Sequence, residues 1–361
     1  MPLTRVPANP EKFSSESLFY QNKKLLSANT IGCALDMTNS DDLPSKPVLH
    51  RIFEIAKEVE RSGFASISKS LEHVKVVSRL LHGESPFETQ ISVMTAARLN
   101  HTMVDMGWND ADSMSTEELL DSVRMSSEGS DVLLTAFSSS ETFGEGRMLT
   151  KQFADTSTVP FASLHDDVYA WQSALATLLG LESRLSGLAG KQIAITWGFG
   201  NSFTNPAPAN SLLISALAFG AHVRLVSPSK FSFLNRVRRV AEDTSQCCNV
   251  LYEEVDEFEG SFKNADAVFA LNWLRLDDFN HPERNQEHAH ELKDWHFDNL
   301  PDGTIFSTIP SSQPNLLASR KILESDQNIT PMWLKNRVIT LAATIAYLVD
   351  SSSADAPTSM I

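Results

Sequence analysis

The sequence predicts an α/β protein of two lobes, each with a mostly parallel sheet flanked by helices, and three observations carry that prediction. At 361 residues, 42% of them hydrophobic and 21% charged, the chain exceeds one comfortable core and favours two. Second, the stretch KQIAITWGFGNSFTNPAPANSLLISALAFGAHVRLVSP reads as strand, Gly/Pro loop, helix and strand. A βαβ unit of this kind pairs its strands in parallel. Third, two later apolar runs, NADAVFALNW and DGTIFSTIP, each end in a polar loop, and in open parallel sheets the carboxyl ends of the strands line the ligand crevice.

The elements follow in order. PVLHRIFEIAKEVERS, from Pro47 to Ser62, places its apolar residues on one helical face. VKVVSRLL is a strand ending in a polar turn at His82–Ser85, ETQISVMTAARLN has helical composition, and TMVDMG is a short β-like run that closes the unit. In the βαβ unit the first strand spans Ile193–Trp197, the helix starts near Ala209 and ends at Gly220, and the strand HVRLV stops at Pro228. HDDVYAWQSALATLLGLE reads as a helix bridging the lobes, and WLKNRVITLAATIAYLVD, apolar all round, as a long docked helix. The expected division is a disordered tail over 1–15, an N-terminal lobe over 16–167 completed by a helix over 331–350, a C-terminal lobe over 168–330, and a disordered tail over 351–361. A cleft between the lobes is the default small-molecule site.

Composition excludes several functions. The net charge of −15 comes without any Lys/Arg-rich run, which disfavours nucleic acid and anionic membranes as partners. No run of about 18 apolar residues would cross a membrane, and the polar, Pro-rich start MPLTRVPANPEKFSSES does not resemble a signal peptide. Cys33, Cys247 and Cys248 form neither a disulfide framework nor a zinc motif, so the expected location is the reducing cytoplasm. The expectation is of no metal and no cofactor. His281, His288, His290 and His296 sit close together, but His288 and His290 would lie on opposite sides of a helix, so the segment reads as a solvated loop. Gly198-Phe199-Gly200 lacks the third glycine of a dinucleotide fingerprint, so NAD is not expected.

The order of these segments resembles the aspartate/ornithine carbamoyltransferase superfamily over roughly residues 50–350. It is most similar to the knotted N-acetyl- and N-succinylornithine branch. The resemblance rests on TWGFGNSFTNPAPANSLLISALAFGAHVRLVSP with its pair Asn210 and Ser211, on Leu271, Asn272 and Trp273 at a strand end where the branch has Lys-Asn/Ser-Trp, and on Asn336-Arg337 opening the last helix. It implies the transcarbamylase fold, with an N-terminal lobe like the carbamoyl-phosphate domain and a C-terminal lobe like the amino-acid-binding domain. It also implies a homotrimer, and a trefoil knot where the loop at Asn205–Ala209 and the Leu271–Ile309 connection pass one another.

The departures from the family pattern are as informative as the matches. Pro86, Phe87, Glu88, Thr89 and Gln90 stand where members hold carbamoyl phosphate with Ser-X-Arg-Thr-Arg, so both arginines are missing and a carboxylate replaces the first. A further family arginine falls on Ala136. His-Pro-X-Gln reads Tyr169, Ala170, Trp171, Gln172, and His-Cys-Leu-Pro reads Ser307, Thr308, Ile309, Pro310. Binding and transfer of a dianionic leaving group need cationic and oxyanion donors worth several kcal/mol. The expectation is therefore a superfamily protein that binds an amino-acid-like molecule, with transfer or condensation chemistry altered so that carbamoyl phosphate is not the donor. A non-catalytic binding or regulatory protein, and a genuine carbamoyltransferase acting on ornithine or an N-acylornithine, are the alternatives.

Candidate catalytic residues are Gln172, Thr308 and Glu88. The candidate binding set is Glu88, Thr89, Gln172, Asn210, Asn272, Trp273, Thr308 and Arg337. Each has a structural alternative. Glu88 either receives an amine or compensates a helix dipole, and Thr89 either touches ligand or caps its helix. Trp273 either walls the cleft or belongs to the core, and Asn336-Arg337 either meets substrate or anchors the last helix. Inward polar groups favour an enzyme or specific binder, whereas a cleft filled by Phe87, Tyr169 and Trp171 favours the non-catalytic reading. His165-Asp166-Asp167 near the expected cleft has acid–base residue types but no accompanying nucleophile motif.

Overall fold

A computed structural model describes residues 46–82, 86–108, 111–139, 142–310 and 313–355. The expected tail over 1–15, Cys33, residues 83–85 of the polar turn and residues 356–361 lie outside the described residues.

The chain runs α1 (Lys46–Ser62), β1 (Val76–His82), α2 (Pro86–Leu99), β2 (Thr102–Asp105), α3 (Thr116–Glu128), β3 (Val132–Phe137), α4 (Glu145–Thr156), β4 (Phe161–Asp166) and α5 (Trp171–Leu185). It continues β5 (Gln192–Trp197), α6 (Ala207–Ala218), β6 (His222–Val226), α7 (Asn235–Cys248), β7 (Tyr252–Val255), β8 (Ala267–Leu271), α8 (Pro282–His290), β9 (Ile305–Ser307), α9 (Arg320–Leu323) and α10 (Trp333–Asp355). The first four strands form one parallel sheet in the order β2-β1-β3-β4, and the other five form a second in the order β7-β6-β5-β8-β9.

Local chemistry explains these elements. β3, VLLTAF, is buried at every position, as a strand covered on both faces requires. α3 starts on a capping box: the Ser115 hydroxyl accepts from the Glu118 N–H while the Glu118 carboxylate accepts from the Ser115 N–H. α6 opens with proline near its N-terminus, where the missing N–H costs nothing. α10 packs against α1, α2 and α5, so the last helix docks on elements that all precede β5.

Three expectations are corrected. Part of the histidine-rich segment, Pro282–His290, is a helix, α8, because Pro282 pre-sets its first turn and Asn285 and Ala289 bury one side of an otherwise polar sequence. The bridging helix begins at Trp171, since residues 165 and 166 still belong to β4. The last helix extends to Asp355, beyond the expected start of the tail.

Both sheets have a point where the strand order reverses, between β1 and β3 and between β5 and β8. Parallel α/β sheets leave a crevice outside the carboxyl ends of the strands at such points. Here the two crevices meet.

Candidate functional site

The cleft has a volume of about 510 Å³. His82 ends β1, Ser138 and Ser139 follow β3, and His165 and Asp166 end β4; all line one wall. Opposite them stand Phe203, Thr204 and Asn205 from the loop after β5, Leu274 and Phe279 after β8, and Ile309 and Pro310 after β9. Phe87, Glu88, Ser173 and Trp333 close the helical end. A register shift between Thr135 and Ala136 against β4 pairs Thr135 with Ser163 and Ala136 with His165, passing over Leu164. Irregularities of this kind re-aim a side chain at a strand end.

Glu88 is in the first turn of α2, only 6% exposed. Its two carboxylate oxygens accept from Arg337 Nη2 at 2.6 and 2.5 Å. Arg337 is fully enclosed, with its guanidinium carbon 5.5 Å from the ring centroid of Trp333, a cation–π arrangement. The Trp333 indole N–H reaches the Ser173 hydroxyl at 3.3 Å, and its ring meets Phe87 edge-on. His165 Nδ1 is 4.0 Å from Glu88 Oε1.

A second buried pair is built under Asp166. Its Oδ2 accepts from Arg147 Nη1 at 3.0 Å, and its Oδ1 accepts from the N–H groups of Val168 and Tyr169, each at 2.8 Å. Arg147 lies over the Tyr169 ring, which stacks on Trp171. Tyr169 and Trp171 are thus spent on this pair behind the wall, and of the three bulky candidates only Phe87 enters the cleft.

Asp167 turns away from its neighbour. Its carboxylate accepts from the N–H groups of Ser139, Gly144 and Gly146 at 2.7–3.0 Å, tying Ser139 to the start of α4. Gly146 is obligatory there, because a Cβ would fall 2.5 Å from the Phe137 carbonyl oxygen and 2.7 Å from Asp167 Oδ1. Burial, reinforced by the charge of Asp166, pushes the Asp167 pKa up to about 7 against the pull of the three N–H donors.

The remaining candidates lie behind the cleft. Gln172 is fully buried and donates to Thr344 Oγ1 at 2.8 Å. Asn210 donates to the Val168 carbonyl at 2.9 Å, and Asn272 to the Gly198 carbonyl at 2.8 Å. Trp273 is a core residue: its indole donates to the Phe231 carbonyl and its ring packs on Phe233. Thr308 is buried, its backbone N–H donating to Thr330 Oγ1 at 3.1 Å. Asn336 donates to the Ala176 carbonyl. Thr89 lies inside α2 rather than before it, so it does not cap the helix; its carbonyl accepts from Arg79 and Ser92. Of the eight binding candidates, Glu88 lines the cleft.

Sequence reasoning passed over His82, Ser138, Ser139 and Trp333, and gave His165 and Asp166 little weight. The signal for the first three was position alone, as residues at the ends of apolar runs. Among the described residues no group of three or more His, Cys, Asp or Glu side chains is placed to hold a metal ion. No helix of the described residues is long and apolar enough to cross a membrane.

No family model matches the chain. Curated proteins do. The chain is 27% identical over 210 residues to N-acetylornithine carbamoyltransferase of Xanthomonas campestris, covering 56% of this chain and 61% of that one. It is 30% identical over 90 residues to the putative carbamoyltransferase YgeW of Escherichia coli, covering 25% and 23% respectively. The matched stretches thus span between about a quarter and three-fifths of those relatives. Among solved structures, N-acetyl-L-ornithine transcarbamylase superposes with a TM-score of 0.75 at 20% identity, covering 86% of this chain and 99% of that one. Acetylornithine transcarbamylase complexed with acetylcitrulline gives 0.76. The chain thus has the fold of these transcarbamylases and is similar in sequence to N-acetylornithine carbamoyltransferase over part of its length. The segment from Pro86 to Gln90 opens α2 at the cleft.

Proposed function

We propose that this chain binds an amino-acid-like small molecule in the cleft between its two sheets, and that carbamoyl phosphate is not the group donor. One observation carries the reading. Among the described residues the cleft wall contains no arginine or lysine, while Glu88 and Asp166 line it, each with its carboxylate paired to a buried arginine. A dianion entering here meets no lysine or arginine in the wall, where its stabilisation requires donors and positive charge. The wall of His82, Ser138, Ser139 and His165 beside Phe87, Phe203, Phe279 and Trp333 suits the polar head and aliphatic body of an amino acid.

The test is a thermal-shift titration with ornithine, its N-acyl derivatives, arginine and other amino acids. Saturable stabilisation by an amino acid, in the absence of carbamoyl phosphate, is expected. A response that requires carbamoyl phosphate would overturn the reading. The second reading, a non-catalytic binding or regulatory protein, is favoured by the burial of Gln172 and Thr308 behind the cleft, where the Gln172 amide donates to Thr344 and the Thr308 hydroxyl to the Ile309 carbonyl. It predicts binding without turnover. A carbamoyltransferase acting on ornithine or an N-acylornithine has the weakest support, because Glu88 stands where it needs a cation.

The finer expectations belong to the same proposal: lobes over 16–167 with 331–350 and over 168–330, a homotrimer, a cytoplasmic location and a trefoil knot. For the knot, the support is the close pairing of Thr204 with Asn272 and Leu274 through backbone hydrogen bonds.

A further inference from the structure

Arg337 is an unusual residue to enclose. A guanidinium carries five N–H donors in one plane and pairs best with a carboxylate side-on, through two nitrogens. Glu88 instead meets a single nitrogen, Nη2, with both oxygens. Nε and Nη1 of Arg337 are buried without a hydrogen-bond partner among the described residues. Among the described residues its further contact is the face of Trp333. A buried charge with unsatisfied donors opposes folding unless something compensates it. Glu88 is that compensation, and it arrives from the cleft side, since Glu88 lines the cleft and Arg337 does not.

We infer that Glu88 acts as a resident anion, its carboxylate occupying the seat on Arg337 that a ligand oxyanion would otherwise take. The pair closes this end of the cleft to phosphate and carboxylate groups and leaves it open to neutral or amine-bearing ones. Asp166 likewise pairs with a buried arginine, Arg147, through one carboxylate oxygen. The inference builds on the reading of the cleft as a small-molecule site and adds a charge class to it: the end of the ligand nearest Glu88 and His165 is uncharged or cationic. Specificity then comes from an internal group that competes with the wrong ligand, which is exclusion by occupancy.

Glu88→Ala tests this, because it removes the resident anion and leaves a space of matching size beside Arg337. Melting temperatures are measured in chloride, formate, acetate and inorganic phosphate at constant ionic strength. The wild-type protein and Glu88→Asp are expected to melt alike in all four. Glu88→Ala should melt lower in chloride and regain about 2 °C or more, saturably, in at least one of the other anions. Adding Arg337→Met to Glu88→Ala should abolish the response. Equal melting of Glu88→Ala in every anion overturns the inference, as does an equal response in the double variant. If Glu88→Ala is insoluble in chloride, the yield of soluble protein from acetate or phosphate buffer is the readout, and no gain there overturns it too. Amino-acid binding by the wild-type protein is scored separately, so an unresponsive Glu88→Ala with intact wild-type binding sinks the resident anion alone.

Discussion

The two walls of the cleft are built on the same plan and have been used differently. On the N-terminal sheet the residues at the strand ends, His82, Ser138, Ser139, His165 and Asp166, face the cleft. On the C-terminal sheet the wall is mostly apolar, with Phe203, Leu274, Phe279, Ile309 and Pro310. Its polar candidates, Asn272 and Thr308, are buried, the Asn272 amide donating to the Gly198 carbonyl and the Thr308 hydroxyl to the Ile309 carbonyl. One wall keeps groups that can meet a ligand, while the other has converted them into scaffolding. The lesson is that a strand end at a topological switch point is a site only if its side chains are not already consumed.

Substitutions break this comparison at different depths. The largest effect is expected from Arg337→Met, which leaves Glu88 charged and buried; loss of one partner of a buried pair costs about 3–5 kcal/mol. Denaturant unfolding should show that loss, and replacing Glu88 together with Arg337 by apolar residues should recover most of it.

Asp167 supplies a smaller, pH-dependent effect. Its pKa of about 7 lies above the ordinary carboxylate range. Between about pH 4 and 7 the folded protein therefore holds a proton that the unfolded chain has released, and this contribution to stability falls as pH rises. Across that window Asp167→Asn should lack the fall. A parallel pH dependence in both proteins would show that Asp167 does not titrate in this way.

The smallest effects separate the walls most sharply. Asn272→Ala removes an internal bond and should cost about 1–2 kcal/mol in unfolding free energy while leaving ligand affinity within a few-fold. His165→Ala should change stability by less than about 1 kcal/mol and weaken the bound amino acid tenfold or more. Reversal of these two outcomes would exchange the roles assigned to the walls.

Much of the fold was legible in the sequence because its central strands are buried on both faces and so read as apolar runs. VLLTAF and Ile193–Trp197 carry their own signal, as does α10, apolar almost all round. α8 was illegible as a helix because its buried contribution is two residues, Asn285 and Ala289, in a polar sequence. The site was harder still. Resemblance pointed to motif positions, and Glu88 is where that reasoning met the cleft. Trp273, Asn272 and Gln172 are equally polar or aromatic in sequence, and only the packing of strand ends against neighbouring loops reveals that their hydrogen bonds are internal. His82 and Ser139 had no motif to announce them, and Trp333 reads in sequence as one more apolar residue of the last helix. The pairing of Glu88 with Arg337 joins residues 249 apart, a contact no local pattern encodes.

Calorimetric titration of the wild-type protein with carbamoyl phosphate bears on the proposed exclusion of that donor from the cleft. No saturable heat is predicted, with or without an amino acid present. Tight, saturable binding would contradict the account, because it would mean that Glu88 leaves Arg337 when a dianion arrives.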